Sequence, residues 1–393
     1  MSSTMGAIRS AQALVAALAA MCVAAATASG METSAKQAYI VEHETGAVLL
    51  DKDGATPSPP ASLSKLMTLY MLFERLKSGA LSLDDTFVVS RKAWRMGGSK
   101  TFVEAGKRVR VEDLLRGIVV QSGNDASIVV AEGLSGTEAA FAEAMNRKAR
   151  DIGLADSHFV NATGWPADGH AMSPRDIAAL SRRIVEEFPE HYPYFAEKSF
   201  RFSGIGQRNR NPLLYGDSGA DGLKTGYTRA SGHSLAASAI REGRRIVMVL
   251  AGLPGARQRA REARRLLDWA YQSFRNYTLF AGGAVVEHAD VWLGEEAAVA
   301  LVTEADITIT LPRASRRGLE VKVVYEGPVP APIEKGVQIA RLVISAPGFT
   351  TREVPLFAGT DIGRLGMFGR LGAAIGYMMW GAERTAPADG ASR

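Results

Sequence analysis

Two blocks of strand-type sequence stand at either end of a long helical segment, and a fold for this chain has to bring them together. The first block is residues 38–50, two apolar runs around a Thr45-Gly46 turn, a pattern that predicts a hairpin. The second is Asp221–Tyr227, Ser234–Ile240 and Arg245–Gly252, three consecutive strands, the last two joined at Glu242-Gly243. Between them the apolar spacing is helical. One helix starts near Ser62, after Pro59-Pro60, runs to about Lys77 and stops at Gly79; Val111–Val120 is a second. A third follows Gln121-Ser122-Gly123-Asn124 with Asp125 as its cap, and Gly136–Ile152 and Pro174–Phe188 are two more. Arg257–Phe274 reads as an amphipathic helix with Leu266, Leu267, Trp269 and Ala270 on its apolar side. Strands at both ends of one domain with helices between them predict an α+β sheet built from both termini of that domain.

The chain changes character near Gly282. From Val285 to Phe357 short β-type runs alternate with Gly and Pro, which predicts a small all-β sandwich or barrel. No catalytic constellation occurs in it, so its expected role is scaffold or partner contact. The last segment, Asp361–Trp380, is apolar but interrupted by Arg364 and Arg370, and its uncharged part is too short to span a bilayer. Drawn as a helix it puts Leu365, Phe368, Leu371, Ile375, Met378 and Met379 on one side, with glycines opposite. An in-plane amphipathic membrane helix is the expectation, with Arg364 snorkelling and Tyr377 and Trp380 at headgroup level; a disordered tail or a self-association strip is the alternative.

At the other end, Arg9 precedes an apolar run from Ala13 to Ala26 and a small-x-small site at Ala26-Thr27-Ala28, the pattern of a cleaved export signal. The single cysteine, Cys22, lies inside that segment, so the mature chain would hold no disulfide, thiolate metal site or cysteine nucleophile. Neither a metal nor a cofactor is expected. The net charge of +5 is spread over several arginine clusters without interleaved aromatic residues, which argues against nucleic acid as a partner.

Three short motifs remain: Ser62-x-x-Lys65, Ser122-Gly123-Asn124 and Lys224-Thr225-Gly226. On a helix, positions three apart share a face, so the Ser62 hydroxyl and the Lys65 amine can meet. A serine beside an amine base is one way to activate a nucleophile. The second motif falls on a loop between helices and the third on a strand. Singly each is weak; in this order and these contexts they form a constellation.

On these residues the chain resembles the low-molecular-mass penicillin-binding proteins, the serine-type D-alanyl-D-alanine carboxypeptidases that trim peptidoglycan stems. The resemblance takes in Pro60–Thr68, Ser122–Ala126, Arg208–Asn211, Asp221–Thr228, the β-rich module and the C-terminal segment. It implies a β-lactamase/transpeptidase-like domain, an antiparallel sheet flanked by helices, followed by the small β domain and the amphipathic helix. The expected boundaries are a signal peptide at 1–28, the peptidase domain at 29–280, the β domain at 281–358 and the anchor and tail at 359–393. The implied partners are peptidoglycan stem peptides, β-lactam antibiotics and, through the C-terminal helix, a membrane surface. The implied location is the periplasm, at the outer face of the inner membrane.

Residue roles follow from the same resemblance. Ser62 would attack the penultimate D-alanine carbonyl, with Lys65 as base, kept partly neutral by burial and by Lys224. Ser122 would relay a proton to the leaving amine, and Asn124 would hold the substrate amide and orient Lys65. The backbone N–H groups of Ser62 and of Tyr227, which follows Gly226, would form the oxyanion hole. Lys224, Thr225 and Arg259 would hold the terminal carboxylate. Several arginines stand in 257–265; the family's Arg-x-x-Glu register before an apolar pair fits Arg259 and Glu262. His170, in the turn-rich stretch 155–173, is expected at the surface. A β-lactamase of the same fold is the alternative. It normally carries Ser-Asp-Asn where this chain has Ser122-Gly-Asn124, and a Glu-x-x-Leu-Asn loop that is not found between 155 and 200. A catalytically idle wall-binding protein and a cross-link endopeptidase are the others.

Overall fold

The computed structural model describes residues 31–367 and 369. They form two compact units, Met31–Asn276 and a second from Tyr277 onward.

The first unit is organised on a five-stranded antiparallel sheet, in spatial order Val48–Lys52, Gln37–Glu42, Arg244–Leu253, Gly232–Arg241, Ala220–Thr228. The N-terminal hairpin is therefore zipped onto the late strands, with Ala38 opposite Leu250 and Ile40 opposite Met248. Both faces of this sheet are covered, so its strands read as near-continuous apolar runs. Ala38, Ile40, Ile246, Met248 and Leu250 pack on one side against Ala263, Leu266, Leu267 and Ala270 of the helix Ala256–Ser273. Their neighbours Tyr39, Val41, Val247 and Val249 point the opposite way, as the two-residue strand period requires. They enter a larger core with the helices Lys65–Lys77, Val111–Val120, Asn124–Ser135, Glu138–Asp151 and Pro174–Glu187.

Three local details differ from the sequence reading. The chain enters the first long helix through a 3₁₀ turn, Ala61–Ser64, so the α-helix begins at Lys65 rather than at Ser62. Asp125 does not cap its helix. It is fully buried, and its carboxylate accepts backbone N–H bonds from Thr101 at 2.8 Å and Phe102 at 2.8 Å, lashing the 99–103 segment to the helix start. His170 is buried, not superficial: its ring meets Phe159 edge-on at 5.9 Å and Nδ1 accepts the Val160 N–H at 3.1 Å.

The second unit is all β. A six-stranded sheet and the strand pair Phe274–Phe280 with Ile307–Pro312 share one apolar core that includes Val299, Leu301, Ile309, Leu342, Ile344 and Leu356. That core continues through Ile362, which is buried and bridges to Ile333. Arg364, read from sequence as a snorkelling residue, instead donates from Nε to the Ala331 carbonyl at 2.6 Å. The remainder of the expected amphipathic helix, from residue 370, and the expected signal peptide lie outside the described residues. Among the described residues no helix is long and apolar enough to cross a membrane.

Candidate active site

The three motifs converge on one cleft of about 810 Å³, lined among others by Ser62, Ser122, Asn124, Thr225, Tyr227 and Arg259. Each wall has a local cause. The 3₁₀ turn at Ala61–Ser64 presents Ser62 at the cleft floor and turns Lys65 inward, where it is completely buried. Ser122 sits between two helices with φ +61, a left-handed conformation uncommon for a residue with a side chain and the kind of backbone strain that gathers at functional sites. Lys224, Thr225 and Gly226 come from the edge strand Ala220–Thr228. A Cβ on Gly226 would lie 3.1 Å from the Pro60 carbonyl oxygen and 3.3 Å from the Ala61 side chain, a tight fit, so glycine here lets the strand run close to the nucleophile's turn without displacing it.

Lys65 Nζ is the hub. It lies 3.0 Å from Ser62 Oγ and 2.7 Å from Asn124 Oδ1, and it donates to the Thr163 carbonyl. Asn124 is itself held, its Nδ2 donating to the Gly97 carbonyl at 2.8 Å. Thr163 is placed by the helix that carries Lys65: Thr68, three residues on, donates from Oγ1 to the Ala162 carbonyl at 2.8 Å. Asn161 Oδ1 then accepts the N–H groups of Thr163 and Gly164 at 3.0 and 2.8 Å. A second buried amine, Lys224 Nζ, donates to Ser122 Oγ at 2.8 Å. Ser122 is thereby poised between the strand lysine and the cleft.

The electrostatics favour a neutral base. Burial is the main cause that brings Lys65 down to about 7, with the Arg210 cation adding to it and Asp125 and Glu138 opposing. Arg210 is thus a positive neighbour that the sequence reading did not name, beside Lys224, whose amine and that of Lys65 repel each other when both are charged. Lys224 is also pushed well down, first by burial and then by Lys65, Arg210 and Arg259. Arg259 lies in the cleft wall, 8% exposed, brought down to about 10 by burial and by Arg210. Its Nη1 reaches the Ser234 carbonyl at 3.4 Å and its Nη2 that of Arg210 at 3.3 Å, while Nε has no hydrogen-bond partner. Tyr227 is exposed and stacks on His233, ring centroids 4.3 Å apart.

Ser62, Lys65, Ser122, Asn124, Lys224, Thr225, Gly226, Tyr227 and Arg259 therefore gather here, while His170 and Glu262 lie outside the cleft lining. Sequence reasoning missed Thr163, Gly164, Trp165 and Arg210. The contribution of Thr163 is a main-chain carbonyl, which no motif spells. Arg210 stood inside the Arg208–Asn211 resemblance without a role. Among the described residues, the cleft lining holds no Asp or Glu, and no cluster of three or more His, Cys, Asp or Glu could hold a metal ion.

A serine beside a buried amine of lowered basicity, a second serine on a second buried amine, and an arginine-lined wall without carboxylates define a serine acyl-transfer enzyme with an appetite for anionic substrates. The comparisons narrow the class. Residues 23–254 match the D-alanyl-D-alanine carboxypeptidase family, peptidase S11, and residues 274–364 match the C-terminal domain of penicillin-binding protein 5. D-alanyl-D-alanine carboxypeptidase DacD of Salmonella typhimurium is 36% identical over 340 residues, covering 84% of this chain and 87% of that one. Penicillin binding protein 5 from Haemophilus influenzae superposes with a TM-score of 0.78 at 30% identity, covering 86% of this chain and 100% of its own. Penicillin-binding protein D2 from Listeria monocytogenes, in a cefotaxime-bound form, matches with a TM-score of 0.57 at 27% identity over 62% of this chain and 100% of its own. The chain belongs to the D-alanyl-D-alanine carboxypeptidase family.

Proposed function

We propose that the cleft removes the terminal D-alanine from peptidoglycan pentapeptide stems through an acyl-enzyme on Ser62. The observation that carries this reading is the Lys65 amine, buried, lowered to about 7 and 3.0 Å from Ser62 Oγ.

Ser62 Oγ attacks the carbonyl of the penultimate D-alanine while Lys65 takes its proton. The oxyanion that forms is received by the backbone N–H groups of Ser62 and Tyr227. Ser122, backed by Lys224, passes its proton to the departing nitrogen and is reprotonated with the proton Lys65 took from Ser62. Lys65 is again a free base, the C–N bond breaks, and D-alanine leaves. Its carboxylate is held until then by Lys224, Thr225 and Arg259. Asn124 steadies Lys65 and meets the substrate amide. Water, deprotonated by Lys65, then splits the ester and restores the serine. A β-lactam acylates Ser62 by the same steps, its ring amide in place of the peptide. With no carboxylate among the described lining residues to activate water, the reading favours a slow-deacylating peptidase over a β-lactamase.

The expected setting is the periplasm after removal of residues 1–28, with the segment beyond residue 369 lying on the membrane. Because Ile362 belongs to the β core, removing 370–393, not 361–393, is the clean truncation. It should move the protein from the membrane to the soluble fraction with activity intact; unchanged membrane association refutes the anchor. Mass spectrometry of a purified pentapeptide stem after incubation tests the reaction, with loss of a single D-alanine expected. Equal labelling of wild type and Ser62→Ala by a fluorescent penicillin overturns the nucleophile.

A further inference from the structure

The helix Ala256–Ser273 has two faces with different duties. Its inner side puts Arg259 in the cleft wall and Ala263, Leu266, Leu267 and Ala270 in the core. Its outer side carries Arg257, Arg261 and Arg264, spaced i, i+4 and i+7, all exposed and in line over about 10 Å of helix. None of the three has a hydrogen-bond, ion-pair or ring partner among the described residues. The arrangement works against the helix. Like charges at these spacings repel, and Arg257 in the first turn opposes the helix dipole with no acidic residue there to offset it. The acids farther along are already engaged: Glu262 holds Arg265, and Asp268 holds Arg241 at 2.8 Å. Asp217, the acid of the adjoining turn, forms no ion pair with any of the three.

Arg261, Arg264 and Arg265 line a hollow of about 350 Å³ together with Ala260, Asp268 and Pro212. Pro212 opens the 3₁₀ turn Pro212–Tyr215, which stands beside the helix, so the arginines form the wall of a furrow. A furrow walled by guanidinium forks suits a slender pendant carboxylate better than a flat layer of headgroups. It backs onto the catalytic cleft without opening into it. Arg259 and Arg210 line the cleft, Ala260 and Pro212 line the furrow, and no residue lines both. The furrow therefore lies behind the wall assigned to the leaving carboxylate.

We propose that this furrow holds the carboxylate of a second stem on the same peptidoglycan polymer while the first stem occupies the cleft. The inference rests on the carboxypeptidase reading. A pentapeptide stem ends in a carboxylate, and so does the stem left after D-alanine has gone, so the polymer stays anionic throughout the reaction. Guanidinium forks donate two parallel hydrogen bonds to a carboxylate. Each exposed pair is weak, but the second contact is intramolecular once the first stem is bound, so a few together retain the enzyme on the polymer.

The test uses the full-length enzyme with two substrates, insoluble peptidoglycan carrying pentapeptide stems and a soluble pentapeptide. In Arg257→Gln/Arg261→Gln/Arg264→Gln, D-alanine release from the polymer at low salt should fall about 3- to 10-fold, while kcat/KM for the soluble pentapeptide keeps its wild-type value. The difference should close at about 0.5 M salt, where the screening length is about 4 Å. The control Arg75→Gln/Arg147→Gln/Arg150→Gln removes equal charge from exposed positions elsewhere in the same unit and should behave as wild type. Equal polymer rates in wild type and the furrow variant, equal losses in the furrow variant and the control, or a loss that persists at high salt each overturn the proposal. So does a furrow variant that keeps its polymer rate but loses binding to vesicles of anionic phospholipid, which assigns the furrow to headgroups. Co-sedimentation with the polymer reads the furrow independently and should weaken in the furrow variant alone. Absence of D-alanine release from the soluble pentapeptide by wild type overturns the carboxypeptidase reading and leaves that co-sedimentation result standing for the furrow.

Discussion

Acylation of Ser62 should switch on with pH through a midpoint near 7, because only uncharged Lys65 can take the serine proton. An ordinary lysine, at 10.5, would be neutral in only about one molecule in 3,000 at pH 7. With Lys65 brought to about 7, roughly a tenth of molecules carry the free base at pH 6, half at pH 7 and nine-tenths at pH 8. The sign follows from the group: lowering pH protonates the base and removes the competent form, so the rate falls on the acid side. The assay is the second-order rate of labelling by a fluorescent penicillin between pH 5 and 10, read under excess reagent so that deacylation does not enter. Arg210 supplies the second cause of the lowering, and Arg210→Gln should move the midpoint upward whatever it does to the amplitude. A wild-type rate that is flat from pH 5.5 to 8.5, or one still climbing at pH 9.5, would refute the assignment of Lys65 as the base. So would an Arg210→Gln midpoint that moved down.

Two other substitutions probe the walls of the cleft. Arg259→Gln should lower kcat/KM for a pentapeptide by about 10- to 100-fold, the value of a charge-assisted hydrogen bond, while leaving Tm unchanged or higher because a buried, partly unpartnered cation is removed. An unaffected kcat/KM would transfer the carboxylate role to another arginine. Gly164→Ala puts a Cβ 1.8 Å from the Ala61 carbonyl oxygen on a residue at φ +75, and should cost about 3 kcal/mol or more in chemical denaturation together with most of the labelling rate. Wild-type stability in that variant would mean that the loop is not pressed against the nucleophile's turn.

What was legible in the sequence was what side chains encode by period and type. Val111–Val120 emerged with both ends in place, and the strand block 221–252 emerged with its order and turns, because each is a long apolar pattern ended by Gly or polar residues. Among crowded arginines, Arg259 was singled out by register, and the helix does turn it inward while Arg257, Arg261 and Arg264 remain exposed. What was not legible is carried by backbone and tertiary contact. The Thr163 carbonyl has no letter of its own, and the 155–173 stretch lacks any period from which its course could be drawn. Asp125 matched a cap in type and place, yet it lies inside the first turn, where its carboxylate accepts three loop N–H groups beside that of Ala126. His170 looked like a surface residue because its burial comes from Phe159 and the fold of its own loop, not from a pattern around it.

The pairing of Gln37–Glu42 with Arg244–Leu253 has a consequence in time. Ala38 waits for Leu250, more than two hundred positions later, before its strand has a neighbour on that side. A ribosome thus releases an apolar hairpin long before the rest of its sheet exists, and closing so long a loop is entropically slow. The nucleophile is likewise made early, and Lys224, the amine behind Ser122, follows on the edge strand well over a hundred positions later. An N-terminal fragment that stops short of Arg244–Leu253 leaves Gln37–Glu42 with an unpaired edge on that side.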